Sequence, residues 1–191
     1  MVAAAGGLAV GLQTRGLRAF TADAARRLDV VRAPRPVPPV AVVDQMGRVG
    51  PLLVRDGRIC VVDFIYMSCP TLCVELGEQF QQLQAAIQRR ALSRRVGLCS
   101  ISFDLDRDHV PELADYAARH RADPRLWRIV RPLREDGLVR VLDVFDVVVL
   151  PDGFGGFVHN AALHVVDAQA HLIDIVATVD AALAHAEGLA A

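Results

Sequence analysis

Two stretches decide most of what this chain can become. RICVVDFIY (58–66) and RVGLCSISF (95–103) are near-continuous apolar runs of strand length. Such runs mark strands buried on both faces. Between them Leu76, Phe80, Leu83 and Ile87 recur at i, i+4, i+7 and i+11, which makes one apolar face of a helix over 73–90. A buried strand, a helix and a second buried strand form a crossover unit that sets the two strands parallel. Such a sheet needs helices over both faces.

The rest of the chain extends that pattern. Leu17, Phe20, Ala24 and Leu28 stand at helical spacing within 13–32. The proline cluster APRPVPP (33–39) is extended and ends that helix. It divides a leader and linker over 1–35 from a domain over 36–188. Residues 40–43 read as a short strand. Residues 109–120 read as a helix with Pro111 in its first turn. A strand over 126–130, a helix over 134–144 and a strand over 145–150 follow. The Gly-rich stretch PDGFGGFVHN (151–160) reads as a loop. Strands over 161–167 and 171–176 form a hairpin, and a helix covers 178–187. The order predicts an α/β protein whose central mixed β-sheet is flanked by helices. It matches a thioredoxin-like fold with an inserted helix and strand.

Composition excludes several functions. The chain has 191 residues, 53% of them hydrophobic, so it can bury one sizeable core. The net charge is −1 and no basic block stands out, which argues against nucleic acid as a partner. Every basic residue is Arg, so no Schiff-base or P-loop lysine exists. Residues 2–12 (VAAAGGLAVGL) are apolar but too short to span a bilayer as a helix. They read either as part of a leader or membrane anchor, or as an Ala/Gly-rich tail.

Four cysteines are too few for a disulfide scaffold at this length. Cys60 and Cys99 sit inside the two apolar runs and read as small buried hydrophobes. Cys69 and Cys73 lie in YMSCPTLC (66–73), where a buried strand gives way to a helix. Ligands bind at that edge of α/β sheets. A helix N-terminus there lowers the pKa of nearby thiols. Residues four apart in a helical turn point the same way, so two sulfurs converge. Converging thiolates form a reversible disulfide or hold a soft metal such as copper, zinc or an iron–sulfur cluster. Structural zinc wants four protein ligands. With only one obvious third ligand, copper is favoured.

That third ligand is sought among six histidines. His120 and His185 read as solvated helix positions, His109 as a helix-start residue making local hydrogen bonds, and His164 and His171 as sheet positions. His159 ends the Gly-rich loop, which can fold over the sheet edge and bring its imidazole to the thiolates. Asp104 and Asp106–Asp108 belong to the loop after the second long strand, where they orient the site, meet a partner or cap a helix.

Three blocks resemble the Sco/SenC family. DFIYMSCPTLC (63–73) resembles its strand followed by C-P-x-x-C. SISFDLDRDHVPELADYA (100–117) resembles its S-x-D-x-x-R-D stretch and following helix. HNAALHVVD (159–167) resembles its H-S-x-x-x-Y-x-x-D segment. The resemblance spans about 36–187. It implies a thioredoxin-like domain binding one copper ion, Cu(I) or Cu(II), through Cys69, Cys73 and His159. It implies partnership with the copper-accepting subunit of cytochrome c oxidase, and with other copper chaperones or thiol reductants. It also implies a place on the periplasmic side of the cytoplasmic membrane behind an N-terminal anchor.

The chain departs from the family pattern at Val74, Leu105, Asn160 and His164. None of these removes a ligand, and His164 lies too far along its strand to replace His159. The alternative is a metal-free thiol–disulfide oxidoreductase working through Cys69 and Cys73, the one sense in which the chain would be an enzyme. A peroxidase would need an activated cysteine beside an arginine, which the sequence does not single out.

Overall fold

The two apolar runs become the centre of one sheet. β4 (Ile59–Ile65) and β5 (Val96–Ser102) pair in parallel, with Val61 level with Leu98 and Ile65 level with Ser102. Every residue of β5 is buried, and in β4 only Cys60 is partly open. This follows from a computed structural model that describes residues 22–69 and 72–190, with only the backbone described at 22–23, 72–74 and 189–190.

The other elements in chain order are α1 (Ala22–Arg32), β1 (Arg35–Pro36), β2 (Ala41–Asp44) and β3 (Val49–Pro51) before β4. After it come α2 (Leu72–Arg89), then, beyond β5, α3 (Val110–Arg119), β6 (Trp127–Pro132), α4 (Glu135–Val144), β7 (Val149–Pro151) and β8 (Phe157–His159). β9 (Leu163–Val166), β10 (His171–Val176) and α5 (Val179–Ala190) close the chain. The main sheet has eight strands in the order β1-β10-β9-β4-β5-β6-β2-β3. The β4–β5–β6 ladder is parallel and the remaining pairs are antiparallel. β7 and β8 form a separate two-stranded ribbon.

Register assigns the faces. Leu98 is level with Trp127 and Val61. Side chains alternate along a strand, so Trp127 and Phe64 lie on opposite faces. Trp127 packs on Phe80 of α2 and Tyr116 of α3, with ring centroids 5.4 and 6.4 Å apart. Phe64 packs on Phe145, which follows α4, at 5.3 Å. α1 joins that second face: it lies along β10, and Arg26 donates to the Asp146 carbonyl at 2.9 Å. Arg35 and Asp146 pair at 2.6 Å. The thioredoxin-like, mixed α/β architecture read from the sequence is the one observed.

Two expectations need correction. Residues 145–150 do not form one strand. Phe145 is buried against Phe64 and His164, Asp146 reverses the chain at φ 52°, and only then does β7 begin. His120 is not solvated. It caps the end of α3 and is buried, with its ring 4.4 Å from that of Tyr116. Burial pushes its pKa down. Gly77 of α2 makes room for it, because a Cβ there would lie 2.4 Å from the imidazole. The expected helix over 13–32 is seen from Ala22 to Arg32, and its earlier part lies outside the described residues.

Candidate metal centre

The carboxyl end of β4 turns sharply. The Cys69 N–H donates to the Tyr66 carbonyl at 3.3 Å, and Cys69 is buried. Cys73 belongs to the first turn of α2, and its side chain lies outside the described residues. The strand-to-helix junction expected for this motif is present. Among the described residues no three His, Cys, Asp or Glu side chains gather as a metal cluster.

The turn is braced from the loop after β5. Asp108 is buried, and its carboxylate accepts from the Met67 N–H at 3.1 Å and from the Ser102 hydroxyl at 2.5 Å. Burial raises its pKa against those two bonds. Asp104 accepts from Arg107 at 2.5 Å. Arg107 also donates to the Gly155 carbonyl at 2.5 Å and stands 5.4 Å from the Phe157 ring. The Ser102, Asp104, Arg107 and Asp108 block therefore divides its work. Ser102 and Asp108 steady the cysteine turn, while Asp104 and Arg107 hold the ribbon. Of the sequence readings, orienting the site fits Asp104 and Asp108.

The Gly-rich stretch is a folded ribbon rather than an open loop. Asp152 accepts from the N–H groups of Phe154 and Gly156 at 2.7 and 2.9 Å. Gly153 and Gly155 have φ of 80° and 91°, where glycine is the residue without strain. The Tyr66 hydroxyl donates to the Phe157 carbonyl and accepts from the Phe157 N–H, both at 3.2 Å. Gly156 permits that approach, since a Cβ there would lie 3.1 Å from the Tyr66 oxygen. Tyr66, Phe103 and Phe157 pack with centroids 5.2 to 5.6 Å apart. The ribbon is thus docked on the end of the strand that carries Cys69.

His159 is the last residue of that ribbon. Its ring packs edgewise on Phe103 at 5.1 Å, and the residue is buried. Among the described residues neither ring nitrogen has a hydrogen-bond partner, and burial lowers its pKa. Asn160 fixes the chain just after it, accepting from the Val148 N–H and donating to the Asp146 carbonyl, both at 2.8 Å. A buried neutral imidazole with two unused nitrogens is costly to keep unless something binds it. It is also the protonation state in which imidazole serves as a ligand. Two cysteine sulfurs with one such nitrogen would make a soft donor set.

The other histidines stand elsewhere. His164 is fully buried between Phe64 and Phe145, at 5.5 and 5.3 Å, with Nδ1 3.4 Å from the Val62 carbonyl. Burial depresses its pKa to about 3. His109 starts α3 as expected: its N–H donates to Glu112 at 2.9 Å, and its Nδ1 accepts from Arg131 at 3.0 Å. His171 lies 3.5 Å from Asp167 and the partly exposed His185 lies 3.3 Å from Asp174.

One residue escaped the sequence reading. Asp63, on β4 six residues before Cys69, is completely buried, and among the described residues neither carboxyl oxygen has a hydrogen-bond partner of good geometry. Desolvation raises its pKa to about 8, opposed weakly by the neighbouring Ser100 hydroxyl. That hydroxyl already accepts from Trp127 Nε1 at 2.9 Å. An acid inside an otherwise apolar strand is the signal that could have exposed it.

Comparison with known proteins agrees with this fold. The family model described as SCO1/SenC matches residues 37–191. BsSco, a member of the Sco family of cytochrome c oxidase assembly proteins with an identified disulfide switch, shares the fold at a TM-score of 0.71. It is 19% identical over 82% of this chain and 94% of its own. Bradyrhizobium japonicum ScoI with copper bound reaches 0.67, at 20% identity over 81% of this chain and 99% of its own. Yeast Sco1 with copper bound reaches 0.66, at 16% identity over 81% and 90%. No curated protein matches the chain.

Proposed function

The chain belongs to the SCO1/SenC family, and on that premise we propose that it holds one copper ion through Cys69, Cys73 and His159 and delivers it to the binuclear copper centre of cytochrome c oxidase. The observation that carries this reading is His159. It is buried and neutral, with both nitrogens unpartnered among the described residues, on a ribbon docked to the strand that leads into Cys69. A dithiol enzyme has no use for that imidazole; a soft metal does. Copper-bound neighbours of the same fold support the choice of metal.

Copper here is cargo, and handover needs a surface. Leu150, Phe154 and Val158 of the ribbon are exposed, Phe154 at 96%. An apolar patch beside the ligands suits a transient protein partner. A copper-accepting oxidase subunit could then exchange thiolates with Cys69 and Cys73 without releasing free metal. We place the domain on the periplasmic side of the membrane, with residues 2–12 within its anchor. A fusion to a reporter active only outside the cytoplasm checks that placement.

A disulfide switch in a structural neighbour keeps the metal-free thiol–disulfide reading in play. The deciding experiment loads the reduced protein with Cu(I) anaerobically, strips metal held by only two sulfurs with a strong chelator, and mixes the protein with a soluble dithiol acceptor domain. Copper moving to the acceptor from the parent, and little loaded on the His159→Ala protein, supports delivery. No retained copper, with disulfide reduction equally fast in both proteins, overturns it in favour of the oxidoreductase.

A further inference from the structure

Two cysteines remain unused by that site. Cys60 on β4 is level with Gly97, and Cys99 on β5 is level with Val62. Both therefore point to the same face, two residues apart along neighbouring strands. That register makes their side chains diagonal neighbours, and both reach one pocket. They form part of the wall of a small open pocket of about 70 Å³ at the amino end of the parallel strands, the end opposite Cys69. Leu52 and Leu53 line the other side. Arg128 ties that segment down, donating to the Pro51 and Leu52 carbonyls at 3.2 and 3.0 Å. The Arg58 guanidinium lies over Gly97, beside Cys60.

We propose that Cys60 and Cys99 form a second soft-metal site, which takes one monovalent copper ion between its two sulfurs. A disulfide suits this geometry poorly. A two-residue offset on adjacent strands separates Cα atoms by about 8 Å, beyond the usual reach of a disulfide. A metal between the sulfurs lengthens the bridge and removes that constraint. Cu(I) is content with two thiolates, whereas structural zinc wants four ligands. The acidic residues lining the pocket are engaged already: Asp56 holds Arg58 at 2.8 Å, and Asp167 accepts from the N–H groups of Gln169 and His171.

Loading is a ligand exchange in which no electron moves. Two S–H bonds break, two S–Cu bonds form, and two protons pass to solvent. The resulting bis-thiolate carries one negative charge, which Arg58 and Arg128 oppose. Cys60 is the partly exposed member and gives the ion its way in.

The test uses the full chain carrying Cys69→Ser and Cys73→Ser, so that it stands apart from the site proposed above. Reduced protein is given Cu(I) anaerobically against a mild competing chelator, and copper per chain is counted. About one copper is expected, with X-ray absorption showing two sulfur neighbours and no imidazole. Adding Cys60→Ala should remove it while leaving the melting temperature nearly unchanged. No copper in the double variant overturns the proposal, as does copper that survives Cys60→Ala. A count on otherwise native protein guards against misfolding of the double variant: Cys60→Ala should lower it from two to one, and an unchanged count overturns the proposal.

Discussion

The two ends of β4 carry two pairs of thiols made in different ways. At the carboxyl end, Cys69 and Cys73 come from one local turn, and a ribbon brings His159 from far along the chain. At the amino end, Cys60 and Cys99 are thirty-nine residues apart and become neighbours only because two strands pair in one register. The first pair is a matter of local sequence, exposed to changes in its braces. The second is embedded in the ladder and yields only to changes in the strands themselves. A motif thus reveals one site, and only the register reveals the other.

Four substitutions sharpen that contrast. Asp63 lies on β4 between the two ends. Its folded-state pKa of about 8 stands above the ordinary carboxylate value, so the folded chain keeps a proton that the unfolded chain releases. Its contribution is fully present below about pH 4 and is lost as pH rises toward 8, by about 1.4 kcal/mol per unit. Denaturant melts across that range should show the decline in the parent and a flatter profile in Asp63→Asn. Parallel profiles would contradict the buried-acid account.

Asp108→Ala should cost about 2–3 kcal/mol, because it strands the Met67 N–H and the Ser102 hydroxyl. It should also weaken copper binding at the carboxyl end and leave the Cys60–Cys99 pair intact. Gly77→Ala should cost about 1–3 kcal/mol, since the new methyl group meets the His120 ring. A stabilised protein, as helix propensity alone would give, would show that His120 moves freely aside.

The smallest effect on stability belongs to Arg107→Ala, at about 1 kcal/mol, for a half-exposed arginine paired with the buried Asp104. Its effect on the site should be larger. Losing the bond to Gly155 and the contact with Phe157 loosens the ribbon that carries His159, so copper should dissociate faster at nearly unchanged melting temperature. Equal off-rates would remove the ribbon from the account.

What the sequence revealed follows the same division. β4, β5 and α2 declare themselves through long runs of one period, so their positions were legible. Cys69 and Cys73 fall at that junction, and His159 is recognised through its family block. The short elements were not legible. β1 holds only Arg35 and Pro36 within a proline cluster, and exists because β10 offers it an edge. β7 and β8 are three residues each around a glycine turn whose composition reads as a loop. His120 looked solvated because a helical histidine gives no hint of the glycine one helix away that admits it. Cys60 and Cys99 looked like filler because nothing local ties one to the other.

The central claim is that Cys69, Cys73 and His159 together hold copper. It is tested most directly by counting Cu(I) on the reduced parent, Cys73→Ser and His159→Ala proteins, against a chelator strong enough to strip a site of only two sulfurs. The account predicts about one copper on the parent and almost none on either variant. Undiminished copper on His159→Ala, or none on the parent, would contradict it.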